Sequence, residues 1–371
     1  MEIYLDNAAT TQALDSVASA VADALTRRFG NPSSPHRWGI AASDVVGAAS
    51  GAIARHLRVE QDEVVFTSGG TESNNLAVRH LARTKRAVTT AIEHSSLLGA
   101  LDALEGWEVV KLPVDRFGLV AAGDVAQAAE GASLVAIGHV NNEVGTIQPI
   151  AEIGAALSRL TPKPAFHVDA VQSFGKVALR PREWGIDTCA LSAHKIHGPK
   201  GVGALWVRRG LRLVPLLYGG DQQGGLRPGT ENVPGIAGFG EAVRRLDPDA
   251  PARLARLRER LWTGISAVAV RNGPPAEHAA PHILNVRVDG LPAEVLLHAL
   301  EQRGVACSAG SACHSRRPEP SHVLLALGLP PEAVMSSIRL SLSSLTTEAE
   351  VDAAGAAMVD AIASLRQMLH R

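Results

Sequence analysis

From about residue 15 to 245, short apolar runs alternate with helical stretches across brief turns that contain Gly or Asn, and no feature of the sequence limits the fold more than this. Parallel strands need a crossover of a dozen or more residues, usually a helix, so the pattern predicts an α/β fold with a mainly parallel sheet covered by helices. The runs Glu63–Thr67, Ala87–Ala91, Leu134–His139, Ala165–Asp169, Thr188–Ser192 and Ala204–Val207 are the expected strands, apolar and short enough to be buried on both faces.

After Asp247-Pro248-Asp249 the pattern changes. A charged helix over Pro251–Leu261 is followed by Leu284, Val286 and Val288 alternating with polar residues, as in a half-exposed strand. The chain then ends in a helix whose apolar residues Val351, Ala354, Met358, Ile362, Leu365 and Leu369 repeat every three or four positions, opened by the capping box Thr347-x-x-Glu350. A length of 371 residues suits two units: a large domain over 15–248 and a smaller α+β domain formed by 1–14 and 249–371.

Composition bounds the partners. With 20% charged residues and a net charge of −1, the chain lacks the basic excess that phosphate-backbone binding requires, so no direct nucleic-acid contact is expected. It has no apolar run of about 18 residues, and MEIYLDNAAT has neither the basic start nor the apolar core of a signal peptide, which predicts a cytoplasmic protein without a membrane partner. Cys189, Cys307 and Cys313 cannot all pair within one chain, and their spacing fits neither a zinc ribbon nor a redox CxxC. At least one thiol is therefore free, and no metal site is expected. Cys189, in an apolar run, reads as a small core residue.

Three segments carry chemistry. VVFTSGGTESNN reads as a strand, a Gly69-Gly70 turn and a helix beginning near Thr71, where backbone N–H groups and the helix dipole favour an anion. Taken alone it is equally a capped strand-to-helix turn. FHVDAVQS sets Asp169 at the end of an apolar strand with Gln172 three positions on, and a lone Asp there is also a common helix cap. CALSAHKIHGPK puts Ser192, His194 and Lys195 just past the next strand, where an isolated Lys is usually a solvated charge. Together they place an anion cradle, an acid and a lysine on one sheet edge. Pyridoxal phosphate needs that set: donors for its phosphate, a carboxylate for its ring nitrogen and an amine for its aldehyde. The other lysines are only Lys85, Lys111, Lys163, Lys176 and Lys200.

The blocks YLDNAATT, FTSGGTESNN, EHSS, HVNNEVGTIQP, HVDAVQS, SAHKIHGPKGVGAL, LRPGTEN, GSAC, EPSHVLLALG and SIRLSLS span nearly the whole chain. In order and spacing the chain resembles the cysteine desulfurases of the nitrogen-fixation and iron–sulfur-assembly type, within the class V aminotransferases. That resemblance implies a type I pyridoxal-phosphate fold with a seven-stranded sheet. It makes Lys195 the Schiff-base lysine, Asp169 the partner of the ring nitrogen, Gln172 the partner of the ring hydroxyl oxygen and His94 the residue stacked on the ring. Gly70, Thr71, Ser192 and His194 would hold the phosphate, joined by Thr230 from the neighbouring subunit of a homodimer. Asn142 and Arg339 would position the amino acid, Arg339 through two parallel hydrogen bonds to its carboxylate. Cys313, on a mobile loop over about 307–320 with Ser308, Gly310 and Ser311, would accept the sulfur.

Read singly, His94 and Asn142 are polar residues at strand ends, and Arg339, on the face of its strand opposite Ile338, Leu340 and Leu342, is an exposed arginine. Two regions depart from the family pattern. Asp221 and Gln223 stand where Gly and Glu are frequent, which bears on loop geometry, and His314 follows the cysteine as either a thiolate partner or a solvent-facing residue. Arg316 and Arg317 supply positive charge nearby. The implied reaction turns L-cysteine into L-alanine and a persulfide on Cys313, for transfer to an acceptor such as an iron–sulfur scaffold or a tRNA-thiolation protein. Selenocysteine lyase or aminotransferase chemistry on the same fold is the alternative, and a platform without catalysis would have no physical reason to keep Lys195, Asp169 and Cys313.

Overall fold

The computed structural model describes residues 2–79, 82–309 and 320–369; Cys313 and the neighbouring Gly310, Ser311, His314, Arg316 and Arg317 lie outside the described residues. Its strands are β1 (Ile3–Tyr4), β2 (Val64–Thr67), β3 (Arg86–Thr90), β4 (Glu108–Leu112), β5 (Leu134–Gly138), β6 (Ala165–Asp169), β7 (Thr188–Ser192), β8 (Gly203–Val207), β9 (Val270–Asn272), β10 (Ile283–Arg287), β11 (Val305–Ala306) and β12 (Ser337–Ser341). Among the described residues seven of them form one sheet in the order β2-β8-β7-β6-β5-β3-β4. The run from β7 to β4 is parallel, and β8 is antiparallel to both β7 and β2.

The apolar runs become buried strands because helices cover both faces of the sheet. Val135, Ile137, Phe166, Val168, Leu191 and Trp206 join Ile53, Ile153 and Phe239 of those helices in the largest core. At one end of the sheet lies β4, whose Glu108 and Lys111 are exposed. A half-buried edge strand needs no continuous apolar run, which is why this strand is absent from the sequence reading.

A second core joins Leu254, Leu257, Leu261 and Ile265 of the helix Ala250–Ile265 to Leu284, Val286, Ile338 and Leu340 of the sheet β12-β10-β9, and to Val351, Met358 and Ile362. The helix Glu348–Leu369 opens with the expected box: Thr347 N donates to Glu350 Oε2 at 2.8 Å and Glu350 N to Thr347 Oγ1 at 3.2 Å. One expectation is corrected: β10 is not half-exposed. It lies between β9 and β12, and Asn285 on its polar face is buried, accepting from Asn272 Nδ2 (2.8 Å) and donating to Glu143 O (3.1 Å). Alternation in the sequence reports polarity, and here the polar partners are internal.

The first residues tie the two regions together. Ser341 N donates to Leu5 O (2.7 Å), while Thr11 N donates to His194 O (2.9 Å), so residues 5–11 run from β12 to the end of β7. No helix among the described residues is long and apolar enough to cross a membrane.

Candidate active site

The parallel strands all present their carboxyl ends on one edge of the sheet, where open α/β sheets bind ligands. A cavity of about 510 Å³ opens there. It is lined by ten of the residues singled out from the sequence: Gly70, Thr71, His94, Asn142, Asp169, Gln172, Ser192, His194, Lys195 and Arg339. Thr230 is exposed and does not line the cavity of its own chain.

Lys195 closes a single 3-10 turn directly after β7, and its Nζ donates to Ala8 O (2.6 Å) and Ala9 O (2.7 Å). Asp169 is the last residue of β6. Its carboxylate accepts from Val171 N on one oxygen (3.0 Å) and from Asn74 Nδ2 on the other (2.7 Å), so it is held in one orientation. Gln172 donates from Nε2 to Ala8 O (2.8 Å) and accepts on Oε1 from His282 Nε2 (3.3 Å).

Helix starts supply the anion cradle. The helix Gly70–Ala77 begins at the turn after β2, and its first N–H groups have no acceptor within the helix. A Cβ on Gly70 would lie 2.6 Å from Val171 Cγ2, and one on Gly203 would lie 2.6 Å from Gly69 Cα. Both positions therefore need glycine for close approach. Ser192 Oγ is buried without a hydrogen-bond partner, which in a native site marks a group awaiting a ligand. His194 is pushed down to about 4 by burial and by the charges of Lys195, Lys200 and Lys176, so its ring is neutral.

His94 caps the helix Ser95–Asp102, its Nδ1 accepting from Ser96 N (3.1 Å) with Ser96 Oγ at 2.8 Å. The surrounding walls desolvate it and lower its pKa, and with Nδ1 an acceptor its single proton sits on Nε2. Asn142 lines the cavity, and its carbonyl accepts from Arg339 Nη1 (2.9 Å). Arg339 is not the exposed arginine its strand position alone suggests. It is 2% exposed, because β12 has the cavity on that face instead of solvent.

One further correction and one departure from the family pattern concern loops. Ser308, expected in the mobile loop, is buried and exchanges backbone hydrogen bonds with Arg339, Arg339 N donating to Ser308 O at 2.6 Å and Ser308 N to Arg339 O at 3.2 Å. Gln223 adopts a φ of 50°, accepts from Phe66 N on Oε1 (2.7 Å) and donates to Glu231, so the departure from the family pattern is absorbed in a tight turn. Burial pushes the Cys307 thiol up to about 12 and that of Cys189 further still.

The sequence reading passed over three contributors. Asn74, one turn along the helix from Thr71, bonds Asp169, Ser96 and His167 at once. Glu93 binds Thr90 Oγ1 (2.6 Å) and Gly138 N (2.7 Å), with its carboxyl pushed up to about 8 by burial and by Asp169. The third is the segment after Tyr4. All three sit inside quoted blocks, and helical spacing from Thr71 was a usable signal for Asn74.

An orphaned serine hydroxyl in a glycine cradle, a fixed carboxylate and a strand-end lysine fit the phosphate, ring nitrogen and aldehyde of pyridoxal phosphate. The residues present fit the class of α/β enzymes that carry an aldehyde cofactor on a lysine. The model of the class V aminotransferases matches residues 3–354, and the chain belongs to that family. It is 39% identical to the cysteine desulfurase IscS of Methanosarcina thermophila, over 99% of this chain and 93% of that protein. Among solved structures it resembles a NifS-like protein (TM-score 0.90, 33% identity, 99% of this chain and 100% of that one). A structure of SspA in complex with cysteine is also similar (TM-score 0.82, 34% identity, 93% of this chain and 100% of that one).

Proposed function

We propose that this chain is a pyridoxal-phosphate-dependent cysteine desulfurase, which leaves L-alanine and a persulfide on Cys313 for a sulfur-acceptor protein. The observation that carries the reading is the single cavity in which Lys195, Asp169 and the unpartnered Ser192 Oγ face Arg339. Relatives named cysteine desulfurase at 38–41% identity over nearly the full chain support the reaction.

The bound cofactor supplies an electron sink for charge developing at the substrate Cα. Lys195 would hold the aldehyde and then, as a free amine, move the α-proton. Asp169, fixed by Asn74 and Val171, would hold a proton at the ring nitrogen. Gly70, Thr71, Ser192 and His194 would hold the phosphate, Gln172 the ring hydroxyl oxygen, and His94 would pack against the ring. Arg339 and Asn142 orient the amino acid. The Cys313 thiolate takes the substrate sulfur: an S–S bond forms, the Cβ–S bond breaks with its electron pair left on the carbon fragment, and that fragment takes a proton at Cβ and regains the α-proton to leave as alanine. Desolvation raises the thiol pKa of both Cys307 and Cys189, which leaves them unsuited to this attack, since the thiolate is the nucleophile.

The two cores support a division into a large domain of 15–248 and a small one of 1–14 with 249–371. Exposed Leu25, Phe29, Trp38, Ile40, Leu217 and Tyr218 support a homodimer. The test is direct. Purified protein loaded with pyridoxal phosphate and given a short pulse of L-cysteine should release alanine and carry extra sulfur on Cys313; with a dithiol reductant added, that sulfur should leave as sulfide in an amount equal to the alanine. Alanine without a protein-bound sulfur, or no alanine at all, would overturn the proposal.

A further inference from the structure

The block YLDNAATT has no role in the mechanism above, yet it reaches the substrate end of the site. We propose that Asp6 is a positioning residue, one that sets the guanidinium fork of Arg339 for an amino-acid carboxylate and thereby the preference for substrates that carry one. The inference rests on the reading of Arg339 as the carboxylate grip.

Two bonds from different elements hold Arg339. Nη1 donates to Asn142 O at 2.9 Å, from the turn after β5, and Nη2 donates to Asp6 Oδ1 at 2.8 Å, from the segment after β1. A guanidinium is planar with five N–H groups in a rigid fork, so anchors on both terminal nitrogens fix its plane and its rotation. Each terminal nitrogen keeps a second N–H. In addition, Nε is buried with no acceptor. Leaving a buried N–H unmade costs about 1–3 kcal/mol. A side chain arranged for folding alone would close that deficit, and an incoming carboxylate, with two oxygens, is the acceptor this fork lacks.

The anchor is itself immobile. Asp6 O accepts from Ala9 N (3.0 Å), and Asp6 forms a bridge with Ser341, two residues beyond Arg339 on β12. Asn7 Nδ2 donates to Ser341 O (2.9 Å) and Ala8 N to Ser341 Oγ (2.8 Å). Strand and segment are thus stitched together on both sides of Asp6, which fixes the backbone that carries its carboxylate relative to β12. Asp6 does not line the cavity, whereas Arg339 does, so Asp6 acts through the arginine.

A carboxylate beside Arg339 has an opposite possible role, as a competitor that substrate must displace. Removing a competitor tightens cysteine binding; removing an anchor weakens it. The protein, loaded with pyridoxal phosphate, is titrated with L-cysteine and with L-cysteine methyl ester, which lacks the carboxylate, and the spectral change of the bound cofactor gives each dissociation constant. Asp6→Ala should weaken cysteine by about tenfold, the worth of one charge-assisted hydrogen bond. The acid-to-ester preference should fall by the same factor. Asp6→Asn, which keeps an oxygen acceptor at Oδ1, should lie closer to wild type. Should Asp6→Ala not fold, Asp6→Glu replaces it: displacing the anchor by one methylene should lower the acid-to-ester preference while Asp6→Asn largely keeps it. Tighter cysteine binding, an equal loss for acid and ester, or an unchanged preference overturns the proposal. Arg339→Lys separates the two levels. If it leaves the acid-to-ester preference intact, the carboxylate-grip reading fails; if it removes the preference and the Asp6 variants do not, only the Asp6 inference fails.

Discussion

At the scale of single residues, three amines differ by what surrounds them. Lys200 is exposed and off the cavity wall; Lys176 is half-buried, its Nζ buried and unpartnered and its pKa pushed down to about 7 by burial and by Lys195, yet it does not line the cavity either. Lys195 alone presents its Nζ at the cavity, on the carbonyls of Ala8 and Ala9. Lys195→Ala should therefore lose the visible absorbance of the lysine-bound cofactor and at least about 10²–10⁴-fold in turnover, the usual worth of a positioned base. A retained visible band would point to Lys176. The cysteines give a second contrast. Cys313→Ala should still change the cofactor spectrum on adding cysteine but release no sulfide, whereas Cys307→Ala should keep wild-type desulfuration, its thiol being half-buried and held protonated by a pKa pushed up to about 12. Extra sulfur found on Cys307 by mass spectrometry after a cysteine pulse would refute the assignment.

At the scale of elements, the strands that carry the site were legible because they are buried on both faces and so must be continuous apolar runs: β5, β6 and β7 match their expected positions to within a residue. Roles for Asp169 and Lys195 followed from strand ends. The hidden parts depend on pairing across the chain: Asn285 finds its partners on β9 and after β5, and Asp6 meets Arg339 from 333 positions away. No local pattern encodes such a contact. Strand ends also explain a pH effect. His139, immediately after β5, stands edge-on to Trp184 with ring centroids 5.6 Å apart, and burial pushes it down to about 4 from 6.5. Between those values the unfolded chain binds a proton that the folded one refuses, so its penalty is absent above about pH 6.5 and grows as pH falls toward 4. His167 and His194 act in the same direction and Glu93 in the opposite one, so the wild-type slope alone assigns nothing. His139→Phe keeps a ring against Trp184 and removes one titration. Between pH 7.5 and 5 it should lose less stability than wild type, by up to roughly 2 kcal/mol in denaturant unfolding. Parallel losses would mean that His139 takes its proton while folded.

At the scale of the whole molecule, Thr230 decides whether one chain makes a complete site. It is exposed and off the cavity of its own chain, while the resemblance gives it to the phosphate of a neighbour. Mixing variants separates the two arrangements. Take Thr230→Ala, which should raise the pyridoxal phosphate concentration needed for half-maximal activity by roughly tenfold or more through loss of a hydrogen bond to a charged group. Take also Lys195→Ala, which should be inactive alone but keeps its own Thr230. In a mixed dimer, the Thr230→Ala subunit contributes Lys195 and receives Thr230 from its partner, so that site is intact, while the other lacks both residues. Unfolding and refolding the two together should therefore produce a population with wild-type cofactor dependence that neither parent shows. If Thr230 served its own chain, every active site in the mixture would still lack it. The cofactor dependence would then remain that of Thr230→Ala, and the shared-site dimer would be refuted.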